Sequence, residues 1–275
     1  MLSRVYVEIT NECNLHCSFC RGHARPPRRM TKEEFALVLD RLSGRAHYLY
    51  YHLMGEPLSH PELPLFLRMA AEHGFRSVLT TNGTLLSTRG EALLSVPLHK
   101  VSVSLHSFED RPAALRAGYL REVAAFAEAA ASRGVITVFR LWNLGCDGGL
   151  NEEVLSFLRG RLPGEWAQNT RGLRIRDKIH VEWGERFAWP DMSAPDGGEE
   201  VFCHALSDHV GVLSDGSVVP CCLDGDGCLT LGNLFDTPLE EILGSARARA
   251  MKEGFAAHHA SETLCRRCGY ARRFL

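Results

Sequence analysis

The sequence predicts an α/β fold, a partial barrel of six strand-helix units followed by a small unit of one β-hairpin and a helix. Three observations predict it. Short apolar strands alternate with amphipathic helices over residues 4–181, a Pro- and Gly-rich stretch at residues 189–200 interrupts the rhythm, and a hairpin pattern follows it. Repeated strand-helix units imply a parallel sheet with right-handed crossovers, and functional groups then collect at the C-terminal strand ends.

Residues 4–9 alternate apolar and polar side chains, the period of a strand. Thr31 opens a helix: TKEE is a capping box, and Phe35, Val38, Leu39 and Leu42 recur at i, i+3, i+4 and i+7. A second strand at residues 47–53 leads to a helix over 61–73 that Gly74 stops. A third strand at 75–80 runs into the turn TNGT and a short helix around 90–95. In the fourth, KVSVSLHS, one face carries Val101, Val103 and Leu105 and the other Ser102, Ser104 and His106, a polar face suited to a ligand or the barrel lumen. An Ala-rich helix at 119–132 ends at Gly134, the fifth strand spans 135–141, and Asn151 caps a helix reaching Leu162. A sixth strand is expected near 173–181. These units make a partial (βα)6, TIM-like barrel over residues 1–188, with 189–200 as a linker and 201–275 as the second unit. There HVGVLSDGSVVPCC forms a hairpin turning at Asp215 and Gly216, and Thr237-Pro238 starts a helix.

The chain has 275 residues, room for one large domain with an appended module. A formal charge of -2, with basic residues dispersed apart from clusters such as RPPRR at 25–29, argues against broad attraction to nucleic acid or membrane. The opening MLSRVYVEIT has no signal-peptide core, and no stretch approaches the ~20 apolar residues of a spanning helix, so a cytoplasmic location is expected. There the ten cysteines, tightly grouped, point to metal binding or redox chemistry rather than disulfides.

The first group is Cys13, Cys17 and Cys20, in the order C-x-x-x-C-x-x-C. A structural zinc site takes four closed ligands, whereas three thiolates suit a 4Fe-4S cubane with one iron open to a non-protein ligand. With Phe19 before the last cysteine and MGEP at 54–57 after the second strand, the chain resembles the radical S-adenosylmethionine (SAM) enzymes, whose signature is CxxxCxΦC. The resemblance implies a cluster loop directly after the first strand, SAM chelating the open iron, and one-electron cleavage to a 5′-deoxyadenosyl radical that takes hydrogen from a substrate. It makes Cys13, Cys17 and Cys20 the catalytic cluster ligands. It also implies cofactor contacts at Phe19, Gly55, Glu56, Pro57, Asn82 of TTNG, Ser102 and Ser104, with Arg140 pairing as a fork with the SAM carboxylate. Met54 stands where the family usually has a first glycine.

The second group is similar to the SPASM and twitch extensions of these enzymes: Cys203, twelve residues, Gly216, four residues, Cys221, and then CRRC at Cys265 and Cys268. Seven residues without cysteine follow Cys268, which favours the shorter twitch form and one auxiliary 4Fe-4S cluster on Cys203, Cys221, Cys265 and Cys268. A zinc ribbon on the same four ligands is the alternative. Adjacent strand residues point opposite ways, so Cys221 and Cys222 do not share an iron, though Cys222 or Cys228 could replace a ligand. Cys146 is expected to be an ordinary buried thiol.

The expected function is side-chain oxidation or crosslinking of a peptide or protein, with small-molecule alcohol dehydrogenation, as in aminoglycoside-like biosynthesis, as the alternative. A non-catalytic iron-sulfur or zinc protein is the competing class. The implied partners are a flavodoxin- or ferredoxin-type reductase and, because the chain starts almost at strand one, a separate peptide-recognition protein. A monomer is expected.

Overall fold

The structure, a computed structural model, describes residues 1–274. Its strands are β1 (Leu2–Val7), β2 (Ala46–Tyr51), β3 (Arg76–Thr81), β4 (Lys100–Ser104), β5 (Ile136–Leu144), β6 (Ala167–Asn169), β7 (Gly172–Arg176), β8 (Ile179–Glu185), β9 (His209–Val212), β10 (Ser217–Val219) and β11 (Gly232–Asn233). Its α-helices are α1 (Lys32–Leu42), α2 (Leu63–Glu72), α3 (Leu86–Leu94), α4 (Ala113–Ser132), α5 (Leu150–Arg161), α6 (Leu239–Leu243), α7 (Ala246–Ala256) and α8 (Thr263–Arg266). All strands join one sheet in the order β11-β10-β9-β1-β2-β3-β4-β5-β8-β7-β6. From β9 to β8 every neighbouring pair is parallel, and the flanking pairs are antiparallel.

Alternation along the strands sorts residues to two sides. Val5 and Val7 of β1, Leu49 and Tyr51 of β2, Val101 and Val103 of β4, and Phe139 of β5 are fully buried in the core. Phe35 of α1 stacks on Phe66 of α2 at 4.3 Å and lies against Tyr51. Each such fully buried side chain contributes about 1.5–3 kcal/mol. The opposite sides of the same strands, with Arg4, Tyr6, Tyr50, Ser102, Ser104 and Arg140, line the lumen. The capping box of α1 is formed, Thr31 Oγ1 accepting from Glu34 N at 3.2 Å and Glu34 Oε2 from Thr31 N at 2.8 Å.

Four local expectations change. The single sixth strand is a hairpin, β7 and β8, turning at Asp177 and Lys178, and only β8 continues the parallel sheet. Asn151 is not a cap: Gly149, at φ 88°, precedes α5, and Asn151 Nδ2 donates to Asn143 Oδ1 at 2.8 Å. The helix after Thr237 is preceded by Pro238 without a side-chain cap. Cys146 is exposed. The second unit also continues the barrel sheet, since β9 pairs in parallel with β1 from Arg4↔His209 to Val7↔Val212. Among the described residues, no helix is long and apolar enough to cross a membrane.

Candidate cluster and cofactor site

The three cysteines of the first group lie on the long loop between β1 and α1, at the C-terminal edge of the sheet. Asn11 pins the loop's two halves, donating from Nδ2 to Pro26 O at 2.8 Å and accepting from Arg28 N at 2.7 Å. Asp110 accepts from Ser18 N at 2.7 Å, and Arg21 donates to Pro190 O at 2.8 Å. The loop presents sulfur as an acceptor: Leu15 N points at Cys13 Sγ and Gly22 N at Cys20 Sγ, both at 3.5 Å. Burial raises the pKa of the Cys13 and Cys17 thiols, and the neighbouring cysteines add to it, taking Cys17 to about 12. Amides aimed at sulfur favour thiolates, while mutual repulsion opposes them; a cationic iron cluster satisfies the first and relieves the second. The donor set therefore fits the cluster.

The motif MGEP folds against this loop. Gly55 has φ +76°, and a Cβ there would meet Thr10 O at 2.3 Å, so only glycine permits the approach that lets Glu56 N donate to Glu12 O at 2.8 Å. Met54 packs on Gly225, where a Cβ would meet its Sδ at 2.8 Å; the extra side chain is housed by a glycine of the second unit. The Glu56 carboxylate is engaged by the chain, accepting from Leu58 N at 3.0 Å, Thr81 Oγ1 at 2.7 Å and Asn82 N at 2.7 Å. The amide of Asn82 reaches the cysteine loop, donating to Asn14 Oδ1 at 2.9 Å and lying 4.0 Å from Cys13 Sγ. Ser102 is buried and Ser104 half-buried on β4, and neither hydroxyl has a hydrogen-bond partner among the described residues. Phe19 packs on His106 at 4.7 Å between ring centroids. Pro57 begins the short 3₁₀ turn Pro57–Ser59 behind Glu56.

Cys203, Cys221, Cys265 and Cys268 come together from three segments. Burial raises the pKa of all four thiols, with Cys203 and Cys265 among the neighbours that raise Cys221, and Cys203 and Cys268 among those that raise Cys265. Here too backbone amides point at sulfur, Ala205 N lying 3.4 Å from Cys203 Sγ. Cys222 faces the other way, into the lumen beside Tyr6, Arg4 and Arg140. Cys228 is exposed near Asp224, Asp226 and Arg21. Among the described residues no three Cys, His, Asp or Glu side chains are placed to hold a single metal ion. A cubane distributes its thiolates over separate irons.

Strand alternation could have found Tyr6 and His52, which meet in the lumen at 5.1 Å, ring edge to face. It could not have found the aromatic wall where Trp142, Trp189 and Tyr270 surround Phe187, at 6.4, 5.5 and 5.0 Å. That wall joins β5, the linker and the chain end, and Trp189 Nε1 donates to Phe19 O at 3.0 Å. A cavity of about 430 Å³ lies at the opposite, N-terminal end of the strands, lined by Tyr48, Tyr50, His99, Lys100, His180 and Glu182 among others. It holds none of the cysteines.

Residues 7–147 match the model of the Radical SAM superfamily, and residues 203–269 that of an iron-sulfur cluster-binding domain, SPASM. The AdoMet-dependent heme synthase of Methanosarcina barkeri is 33% identical over 102 residues, 36% of this chain and 29% of that protein. The GTP 3',8-cyclase of Chlorobaculum tepidum is 32% identical over 109 residues, 38% of this chain and 33% of that protein. The chain thus spans about a third or less of these relatives. Among solved structures, BtrN in complex with AdoMet and 2-DOIA covers 98% of this chain and is itself covered to 93%, at 20% identity and a TM-score of 0.62. Streptococcus suis SuiB bound to S-adenosylmethionine covers 98% of this chain and is covered to 72%, at 15% identity and a TM-score of 0.63.

Proposed function

The chain belongs to the Radical SAM superfamily, and from that premise we propose that it oxidises or crosslinks a peptide or protein side chain with the help of an auxiliary cluster in its SPASM-type region. When bound, the barrel's 4Fe-4S cluster and SAM supply a 5′-deoxyadenosyl radical, and an auxiliary 4Fe-4S cluster supplies an acceptor for the substrate's second electron. Cys13, Cys17 and Cys20 would hold the first cluster. Gly55 brings the backbone of MGEP against the cysteine loop, where its carbonyls suit the SAM amino group, while the engaged Glu56 carboxylate keeps Asn82 in place beside Cys13. Ser102 and Ser104 offer free hydroxyls from β4. Cys203, Cys221, Cys265 and Cys268 hold the auxiliary cluster, residues 201–275 forming its unit, and a flavodoxin- or ferredoxin-type reductase delivers the electron.

One observation carries this reading: three thiols at the C-terminal end of β1, two of them presented to backbone amides as acceptors, beside a glycine turn from the end of β2. SuiB bound to precursor peptide SuiA supports a peptide substrate. BtrN, matched over nearly its whole length and holding 2-DOIA, supports the second reading, dehydrogenation of a small alcohol. The test is anaerobic reconstitution followed by dithionite and SAM. Release of 5′-deoxyadenosine is expected, and a loaded cluster that releases none defeats the proposal.

A further inference from the structure

Most arginines near the site are closed by a carboxylate. Arg25 is paired with Glu8 at 2.7 Å and Arg21 with Asp226 at 2.8 Å. Arg140 is not. It lies on β5 with its side chain in the lumen, and among the described residues its guanidinium has neither a hydrogen bond nor an ion pair. Its cross-strand neighbour Glu182 is in register on β8 but forms no ion pair with it. The guanidinium instead lies over the ring of Trp142 at 3.7 Å. Glu182, Tyr6, Cys222 and Tyr270 act on its charge, burial lowers its pKa against their pull, and Lys100 and His106 lie close enough to feel it. His52, which also faces Arg140, keeps a buried Nδ1 without a partner.

A cation taken out of water loses solvation that an anion can offset. With its carbon 3.7 Å over the Trp142 ring and none of its N–H groups hydrogen-bonded among the described residues, the guanidinium keeps its donors for a carboxylate, which a guanidinium fork receives through two parallel hydrogen bonds. Trp142 also belongs to the aromatic wall with Phe187, Trp189 and Tyr270, so an anion on Arg140 would have its carbon frame against apolar rings. We propose that Arg140 is the carboxylate-binding residue of the substrate site, and that the peptide substrate presents a carboxylate to it with the adjoining carbon frame packed on this wall. The assignment rests on the radical SAM reading of the site and differs from the sequence expectation that Arg140 holds the carboxylate of SAM.

The test uses reconstituted holoprotein saturated with SAM and no reductant, titrated calorimetrically with phenylacetate and with phenylacetamide as the uncharged control. Phenylacetate should bind at least tenfold tighter than the amide, the worth of one charge-assisted pair. Arg140→Met should abolish that preference, Arg140→Lys should restore part of it, and Glu182→Gln should tighten phenylacetate by removing the opposing charge. SAM affinity of each variant is measured separately by equilibrium dialysis. Equal binding of acid and amide, no binding of the acid to the wild type, or binding that survives Arg140→Met overturns the assignment. So does a loss of SAM affinity in Arg140→Met with phenylacetate unchanged, which returns the guanidinium to the cofactor. Carboxylate binding needs no reduced cluster, so this outcome is independent of whether 5′-deoxyadenosine forms.

Discussion

At the scale of a residue, Glu56 joins two motifs that the sequence shows separately. Glu56 and Thr81 lie 25 positions apart, and only the parallel pairing of β2 with β3 brings the Glu56 carboxylate to Thr81 Oγ1 and Asn82 N. The motif raises the expectation of a cofactor contact there; the three donors that occupy the carboxylate belong to the fold and leave no local signature. Burial outweighs those donors and raises the Glu56 pKa from 4.5 to about 7. Between those values the native state holds a proton that the unfolded state has released, so this contribution is present below about pH 4.5 and is lost as pH rises to about 7, on the order of 3 kcal/mol. His52 and His106, lowered to about 3 and about 4 by burial, act with opposite sign: the unfolded imidazoles take up protons as pH falls below 6.5 and the native ones do not. The wild-type profile is therefore a sum of opposing slopes, and the variant isolates one of them. Denaturant unfolding of Glu56→Gln under argon should show a deficit against wild type that shrinks by a few kcal/mol between pH 5 and pH 8. A deficit constant across that range would contradict the assigned shift.

At the scale of an element, the loop after β1 is held by a buried ion pair rather than by secondary structure. Glu8, fully buried at the end of β1, takes both oxygens to Arg25 Nη2 at 2.8 and 2.7 Å and accepts from Met54 N at 3.2 Å and Ser214 N at 3.1 Å. Arg25 Nε donates to Gly225 O at 2.7 Å. One carboxylate thus ties the cysteine loop to the MGEP turn and to the hairpin of the second unit. Removing one member of a buried pair leaves the other charge uncompensated, at a cost of about 3–5 kcal/mol. Arg25→Met should lower the unfolding free energy by an amount of that order and raise the KM for SAM, whereas Glu8→Gln, which leaves the charge on Arg25, 14% exposed where the Glu8 side chain is 0% exposed, should cost less. Equal losses would show that the stranded carboxylate and the stranded guanidinium are equally desolvated. RPPRR is visible in the sequence as a basic cluster, but its partner is not, because the distance from Arg25 to Glu8 depends on how the loop closes. The β7–β8 hairpin was hidden for a related reason. Its turn holds Lys178 at φ 63° where such a turn favours Gly or Asn, so nothing in the local composition interrupts the strand pattern.

At the scale of the whole molecule, strand-helix periodicity was enough to give the barrel, because each strand's buried face is written in its own residues. The attachment of the second unit is a long-range pairing of β9 with β1, and no local pattern encodes it. That pairing has an energetic consequence. The thiols of Cys203, Cys221, Cys265 and Cys268 are drawn together from opposite ends of the second unit, and a cluster bound to all four closes the intervening segments as a crosslink does. Metal binding to such a site contributes directly to folding. Replacing Cys265 and Cys268 by Ala should reduce bound iron from about eight to about four per chain. Hydrogen exchange should then lose protection over residues 201–274 and along the β9 edge of β1, while α2 and β2, joined through Phe66, Phe35 and Tyr51, keep theirs. If the four thiols hold zinc instead, the same variant loses zinc and keeps all of its iron. If exchange rises equally in both units, the sheet unfolds as one body and the auxiliary site supports the barrel as much as its own segment.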